Sequence, residues 1–490
     1  MTDGIGYERL SAQDRSFLLF EDRHTHMHLG GVAIFEAGPL AKPDGGIAIE
    51  RIRAHVAACL HLAPRYRQRL AFVPLTGQPV WVDDAQFNID YHVRHTALPR
   101  PGGDDELRAV VSRIVSQQLD RGKPLWELWV VEGLADDRFA VVVKCHHAMA
   151  DGISAFEFFG ALLRLTPETH VDAPRPWTPQ PAPEGWRLLR DELVRQVTEP
   201  LGAAAQLLAQ VRSATELVRQ AAAGVTSVLD FVASGLRPPA PTPLNRRIGP
   251  HRRFDWHRLR LADVQAVRER FGGTINDVVL ATIAGGMRRF LENRGRDPRR
   301  GEFRVVVPVS VRREDERGRL SNRASGWLAT LPVGEPNVRK RYAAVRRTTR
   351  WLKETRQERA AELLGWAAEF AMPGTLLSLA LKLVTFLAPY NLIVTNVPGP
   401  DVPLYLLGAR MVGAFPLVPL FEQQGVGVAI LSYHDSLCFG LNADWDLVPD
   451  LEELSEAVSD AFAELHAAAV QGALRVTRSV RRFSNRVVTA

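Results

Sequence analysis

Two proline clusters decide how this chain can fold. Residues 174–183 hold Pro174, Pro176, Pro179, Pro181 and Pro183, and a second run, Leu236-Arg-Pro-Pro-Ala-Pro-Thr-Pro243, follows some fifty residues later. Proline has no amide hydrogen and a fixed φ, so neither run can lie inside a helix or a central strand. Between them, Trp186 to Leu236 is rich in Ala, Leu, Val, Arg and Gln and reads as two or three helices, broken early at Pro200-Leu-Gly. The 490 residues therefore divide into a first half (1–173), a Pro-bounded helical linker (174–245), a second half (246–474) and a basic tail (475–490) that reads as mobile.

Both halves mix strands and helices. In the first, Ser11-Ala-Gln-Asp14 has the spacing of a helix cap, and Ser16-Phe-Leu-Leu-Phe-Glu21 follows on that helix. His26 to Glu36 reads as a strand with His26 and His28 on one face, an arrangement two metal ligands share. No third ligand is near, so these histidines read as packed or channel-lining, and no metal is expected. Ile47–Leu62 and Leu107–Leu119 read as helices. In the second half, Asn276 and Asp277 head an apolar helix that Thr274 or Asn276 can cap. Strands are expected at Phe303 to Val311, after Ser321, at Asn391 to Val397, and near Gly425–Ser432 and Leu437–Asn442, with a last helix over Leu451–Ala469. Leu376 to Leu387 carries Lys382 and stops at Pro389, so it reads as a core helix and not a membrane span.

The chemistry concentrates in Val141-Val-Val-Lys-Cys-His-His-Ala-Met-Ala-Asp-Gly152. A β-branched strand runs into two adjacent histidines, and Asp151-Gly152 turns the chain into a buried helix. Imidazole, with an ordinary pKa around 6.5, is the side chain suited to take a proton near neutral pH. A strand end before a tight turn can hold one rigidly. Upstream, Pro124-Leu125-Trp126 opens a strand that a turn at Ala135-Asp-Asp joins to the histidine strand as a hairpin, which sets a bulky apolar wall beside the proposed base. Trp126 reads equally well as plain core. Cys145 lies on the apolar strand and reads as packed; Ser154 lacks a Gly-x-Ser-x-Gly frame and is not expected to act as a nucleophile.

Composition removes other classes. Cys59, Cys145 and Cys438 are far apart, which argues against a disulfide framework or a zinc ribbon. A net charge of +6 admits an anionic partner, but the arginines are dispersed and not interleaved with aromatics, so no nucleic-acid partner is expected. The cluster Arg246-Arg247 to Arg252-Arg253 reads as a solvated face or a phosphate contact. The first residues lack a signal peptide's basic and apolar regions, so cytoplasmic exposure is expected, with peripheral attachment to the inner face of the membrane as the alternative.

With His146-His147-x-x-x-Asp151-Gly152, Pro124-Leu125-Trp126 and Asn276-Asp277 in this order, the chain resembles the bacterial wax ester synthase/acyl-CoA:diacylglycerol acyltransferases. Leu10-Ser-Ala-Gln-Asp-Arg-Ser-Phe and Asn396-Val-Pro-Gly-Pro are also similar to that family, and the resemblance spans nearly the whole chain. His-His-x-x-x-Asp-Gly alone marks a wider superfamily with chloramphenicol acetyltransferase and the condensation domains of peptide synthetases. The resemblance implies an α/β fold of two chloramphenicol acetyltransferase-like halves around a solvent channel, joined by the linker. Acyl-CoA would enter one mouth and an alcohol the other, with no cofactor. It assigns the base to His147, and it implies a structural His146 and an Asp151 carboxylate paired with an arginine. It further implies a Gly152 that keeps the backbone clear of the channel, alcohol binding at Pro124, Leu125 and Trp126, and support of the site by Asn276 and Asp277.

The expected reaction is attack of a diacylglycerol or fatty-alcohol hydroxyl on the thioester, through a ternary complex and without an acyl-enzyme. An oxyanion donor, each typically worth about 2.7–4 kcal/mol, would be Asn276 or a backbone N–H. The rival readings are a related enzyme using a carrier-protein-bound acyl group, and a non-catalytic protein binding a membrane or lipid droplet.

Overall fold

The computed structural model describes residues 6–43, 45–149, 158–195, 198, 239–310, 324–355 and 390–487. Asp151, Gly152, Ser154, most of the linker and the expected core helix at 376–387 lie outside them. The first half runs β1 (Glu8–Arg9), α1 (Ala12–Phe20), β2 (His28–Glu36), α2 (Ile49–Cys59), β3 (Gln68–Phe72) and β4 (Pro79–Asp83). It continues with α3 (Ile89–His92), β5 (Val93–Ala97), α4 (Asp104–Ser116), β6 (Trp126–Leu134) and β7 (Arg138–His146). The second half opens with β8 (Arg252–Arg260), α5 (Leu261–Phe271), α6 (Ile275–Asn293), β9 (Phe303–Ser310), β10 (Ala324–Leu331) and α7 (Val338–Thr355). Then come β11 (Leu392–Val397), β12 (Tyr405–Leu406), β13 (Ala409–Leu417), β14 (Val426–Tyr433), β15 (Ser436–Asp444) and α8 (Leu451–Val487).

The expected hairpin forms. Trp126 pairs with Cys145 and Leu134 with Arg138 across β6 and β7, and the turn between them puts Asp136 and Asp137 at φ 60° and 49°. That is left-handed backbone, which aspartate tolerates and which matches the twist of paired strands. The other neighbour of β7 is β2, in a register that sets His28 opposite His146. A β-branched run flanked on both sides suits a central strand buried on both faces.

The two large sheets have the orders β12-β13-β2-β7-β6-β5 and β10-β9-β11-β14-β15-β8, and a small sheet has the order β1-β4-β3. The halves are interlocked more than the division at 174–245 anticipates. Residues 405–417, deep in the second half, add two strands to the first sheet, with β13 lying against β2. Two glycines make room for that strand. A Cβ on Gly31 would lie 2.5 Å from the Phe415 carbonyl oxygen, and one on Gly440 would lie 1.9 Å from that of Pro416. The first core accordingly takes in Phe254, Trp256, Tyr433 and Cys438 from the second half. The last helix, expected to end at Ala469, runs on to Val487, so most of the tail expected to be mobile is helical.

Helix α4 covers the edge strand β8. Ser112 Oγ accepts the Phe254 N–H (3.0 Å), Ser116 Oγ accepts the Arg252 N–H (2.8 Å), and Arg108 donates to Asp255 (2.5 Å). Four helical residues rise about 6 Å and two strand residues about 6.6 Å, so the two repeats stay in step. Open edge amides are thereby satisfied without another strand.

Candidate active site

The two histidines sit where β7 ends. The His146 N–H donates to the Leu125 carbonyl (2.9 Å) and the His147 N–H to that of Met27 (2.8 Å), so consecutive amides are held by opposite neighbouring strands. This gives the Pro-Leu-Trp segment a positioning role in the backbone. Its side chains are buried: Leu125 is 0% and Trp126 2% exposed. The Trp126 indole donates to the Tyr66 carbonyl (2.8 Å), and its ring stacks on His92 at 4.6 Å. The Trp126 side chain is thus core, one of the two roles its sequence context allowed.

His146 is fully buried, hydrogen-bonded at one ring nitrogen and close to a carboxylate at the other. Nδ1 accepts the Ala148 N–H (2.9 Å), which leaves the ring proton on Nε2, 3.4 Å from Glu21 Oε2. Glu21 closes the C-terminus of α1, and Arg121 donates to the same oxygen through Nε (3.0 Å) and Nη2 (2.7 Å). His28 Nε2 lies 3.7 Å from Oε1. Burial works against the charge on Glu21, yet His146, His28 and Arg121 outweigh it and hold the carboxyl at about 2. Burial, reinforced by Lys144, pushes His28 well below the ordinary histidine range, and burial with Arg252 brings His26 to about 4. Lys144, on the same face of β7, donates to the Ile114 and Gln117 carbonyls at the end of α4 (3.0 and 2.9 Å) and pairs with Glu127 (3.2 Å). Burial lifts the Cys145 thiol to about 12, which suits a packed side chain.

His147 differs. It lies past the strand end, half-buried, with its ring stacked on Phe17: centroids 3.7 Å apart, planes 12° from parallel. The second half reaches this corner through Arg252 and Phe421. Arg252 donates to the His24 carbonyl, and Phe421 meets Phe20 edge-on at 5.9 Å. Arg252 is 2% exposed and 3.8 Å from Asp444, so it is a buried strut and belongs to neither a solvated face nor a phosphate contact.

Asn276 and Asp277 head α6, where the Asp277 carboxylate is held by local partners. Asp277 Oδ2 accepts the Thr274 N–H (2.7 Å) and hydroxyl (2.9 Å), Thr274 Oγ1 accepts the Asp277 N–H (3.3 Å), and Thr349 donates to Oδ1 (2.5 Å). This is a reciprocal helix cap tied to α7. Asn276 is half-buried in the first turn. Sequence reasoning missed Phe17, Glu21 and Arg121. The cap at Ser11 was a partial signal, because residues 17 and 21 on that helix share a face. Among the described residues no group of three His, Cys, Asp or Glu is placed to hold a metal ion, and no helix is long and apolar enough to cross a membrane.

Residues 10–279 match the wax ester synthase/diacylglycerol acyltransferase catalytic domain, and residues 320–466 match the C-terminal domain of the same proteins. A Mycobacterium tuberculosis protein named as a probable diacylglycerol O-acyltransferase, tgs1, is 35% identical over 473 residues, 96% of this chain and 97% of its own. The solved wax ester synthase/diacylglycerol acyltransferase of Marinobacter aquaeolei has a TM-score of 0.69 at 27% identity, over 94% of this chain and 99% of that one. The starter condensation domain of rhizomide synthetase, at 12% identity, shares the fold with a TM-score of 0.57 over 95% of each chain. The architecture is therefore the two-half, chloramphenicol acetyltransferase-like one that the resemblance implied. Matched along most of its length by sequence and by fold, the chain belongs to the wax ester synthase/diacylglycerol acyltransferase family and is an acyltransferase.

Proposed function

We propose that this acyltransferase moves a long-chain acyl group from acyl-CoA to the hydroxyl of a diacylglycerol or a fatty alcohol, with His147 as general base and no cofactor. The observation that carries this reading is the contrast in burial within the histidine pair: His146 is fully buried, with Nδ1 on the Ala148 amide, while His147 stands half-buried past the strand end on a rigid backbone. In the reaction His147 takes the hydroxyl proton as the alcohol oxygen attacks the thioester carbonyl. The C–S bond then breaks, and the imidazolium returns the proton to the departing CoA thiolate. No covalent acyl-enzyme is needed. Asp151 and Gly152 are carried into this proposal from the family motif alone, as a structural carboxylate and a clear backbone at the channel.

The acceptors are lipids, so the place of work is a lipid surface, at the inner face of a membrane or on a droplet. Leu75, 94% exposed at the tip of the β3–β4 turn, and Trp186, 56% exposed, are apolar side chains suited to rest there. The test is purified protein with palmitoyl-CoA and a panel of alcohols plus diacylglycerol, with lipid products analysed. Ester and free CoA are expected, with His147→Ala about 10³-fold slower. No ester from any acceptor, or full activity in His147→Ala, would overturn the proposal. Ester formed only from an acyl carrier protein would move the reading to the rival donor.

A further inference from the structure

Helix α1 touches both histidines from one face. Glu21, four residues after Phe17, meets His146, and Phe17 lies flat against the His147 imidazole at 3.7 Å. Nothing in the proposed reaction uses Phe17, yet it is 9% exposed and held in place by a capped helix. A phenyl face carries the negative part of the ring quadrupole, and cations are attracted to it. The proton that His147 receives turns its ring into such a cation on that face. We infer that Phe17 is a positioning residue for His147, fixing the plane of the imidazole and favouring the imidazolium that forms as the hydroxyl proton is taken. The inference rests on His147 being the base.

Among the described residues, the charged and titratable groups around this corner include Glu21, Asp22 and His24 just after α1, His26 and His28 on the β2 side, and Lys144 and His146 on β7. Arg121 follows α4, and Arg252 comes from β8. Replacing Phe17 by leucine leaves all of them in place. It also keeps an apolar side chain against the ring, so water stays excluded from that face and chiefly the π face is lost. The sign follows: an imidazolium that loses a favourable neighbour is the stronger acid, so His147 titrates at lower pH and is a weaker base.

The experiment is kcat against pH for Phe17→Leu, Phe17→Tyr and the unaltered protein, at saturating acyl-CoA and acceptor. In Phe17→Leu the plateau should fall about tenfold with KM little changed, and the acidic limb should move down by about 0.5–1 pH unit, the size expected of a cation–π contact. Phe17→Tyr, which keeps the face, should keep the limb where it was. A limb that stays put in Phe17→Leu while the plateau falls would overturn the inference and leave Phe17 as packing only. Should Phe17→Leu not fold, Phe17→Met carries the same test. The His147 ring titration can also be followed directly by histidine-selective NMR, assigned by its loss in His147→Gln. Full activity in His147→Ala would defeat the base reading itself. An inactive His147→Ala with an unmoved limb in Phe17→Leu would defeat only the role of Phe17.

Discussion

His146 and His147 are consecutive in the chain and opposite in circumstance. The first is 0% exposed, with Nδ1 on the Ala148 amide and Nε2 facing a carboxylate that Arg121 also holds. The second is half-buried, past the last paired residue, with a hydrocarbon ring beneath it. Consecutive side chains of a strand point to opposite faces, so an adjacent pair can divide its work between them. His146 ties the strand end and the following turn to the body of the protein. His147, half-buried past the strand end, is the histidine proposed as base. A rigid mount is what a positioned base requires.

The sharpest way to break this comparison is to exchange the losses. His147→Ala should cost about 10³ in kcat and leave thermal stability nearly unchanged. His146→Ala leaves the Ala148 amide without its acceptor, opens a buried space and leaves Glu21 to Arg121, so it should cost about 3 kcal/mol of stability, measured by denaturant titration. Equal stability losses in the two variants would erase the distinction.

Next in size is Glu21→Gln, which keeps the shape but removes the charge that His146 and Arg121 share. A loss of about 2 kcal/mol is expected at pH 7. The pH dependence identifies the cause. Folded Glu21 sits at about 2 against an ordinary 4.5, so between those values the unfolded chain binds a proton that the folded chain does not. Stability from this group is therefore fully present above about pH 4.5 and is lost as pH falls toward 2. Unfolding midpoints across that window should lose this component of their slope in Glu21→Gln, and an unchanged slope would assign the acid sensitivity to other carboxylates.

What was legible in the sequence was local. The Val141-Val-Val run, the Asp136-Asp137 turn and the Ser11 cap depend on neighbours a few residues away, and all three appear as read. What needed the fold was the identity of distant partners. Nothing in Ala409–Leu417 says that it will pair with β2 in the other half, because an apolar strand can pair in either sheet. Arg252 looks like any surface arginine until the His24 carbonyl and Asp444 are seen around it. Phe17 and Glu21 shared a visible helix face, but residues 146 and 147 lie too far along the chain to be inferred as its contacts. The cap at Thr274 was legible as one of two choices, and the structure commits the Asp277 carboxylate to Thr274 and Thr349.

That commitment gives a contrast of its own, between the motif proposed to hold the base and one seen to cap a helix. Asp277→Ala removes three hydrogen bonds from a buried carboxylate, and about 2 kcal/mol of stability should go with them. The kcat of the folded fraction should stay within about threefold of the unaltered protein, since no acid–base role, with its 10²–10⁴-fold effects, is lost. A hundredfold loss of kcat with stability intact would give Asp277 a part in catalysis beyond the cap.

The smallest expected effect lies at the seam between the halves. Ser112 satisfies the Phe254 amide on the β8 edge, and Ser116 does the same for Arg252 two residues away. Ser112→Ala leaves one buried N–H without its acceptor, and a loss of about 1 kcal/mol is expected. Because Arg252 also reaches the His24 carbonyl, Ser116→Ala disturbs a strand that touches the histidine corner, while Ser112→Ala acts further from it. The two serines make equivalent bonds to alternate residues of one strand, so similar stability losses are expected from both. If β8 also steadies the corner, Ser116→Ala alone should lower kcat by a few-fold. Equal kcat in the two variants would confine the influence of the seam to stability and leave the positioning of His147 to α1 and its own strand.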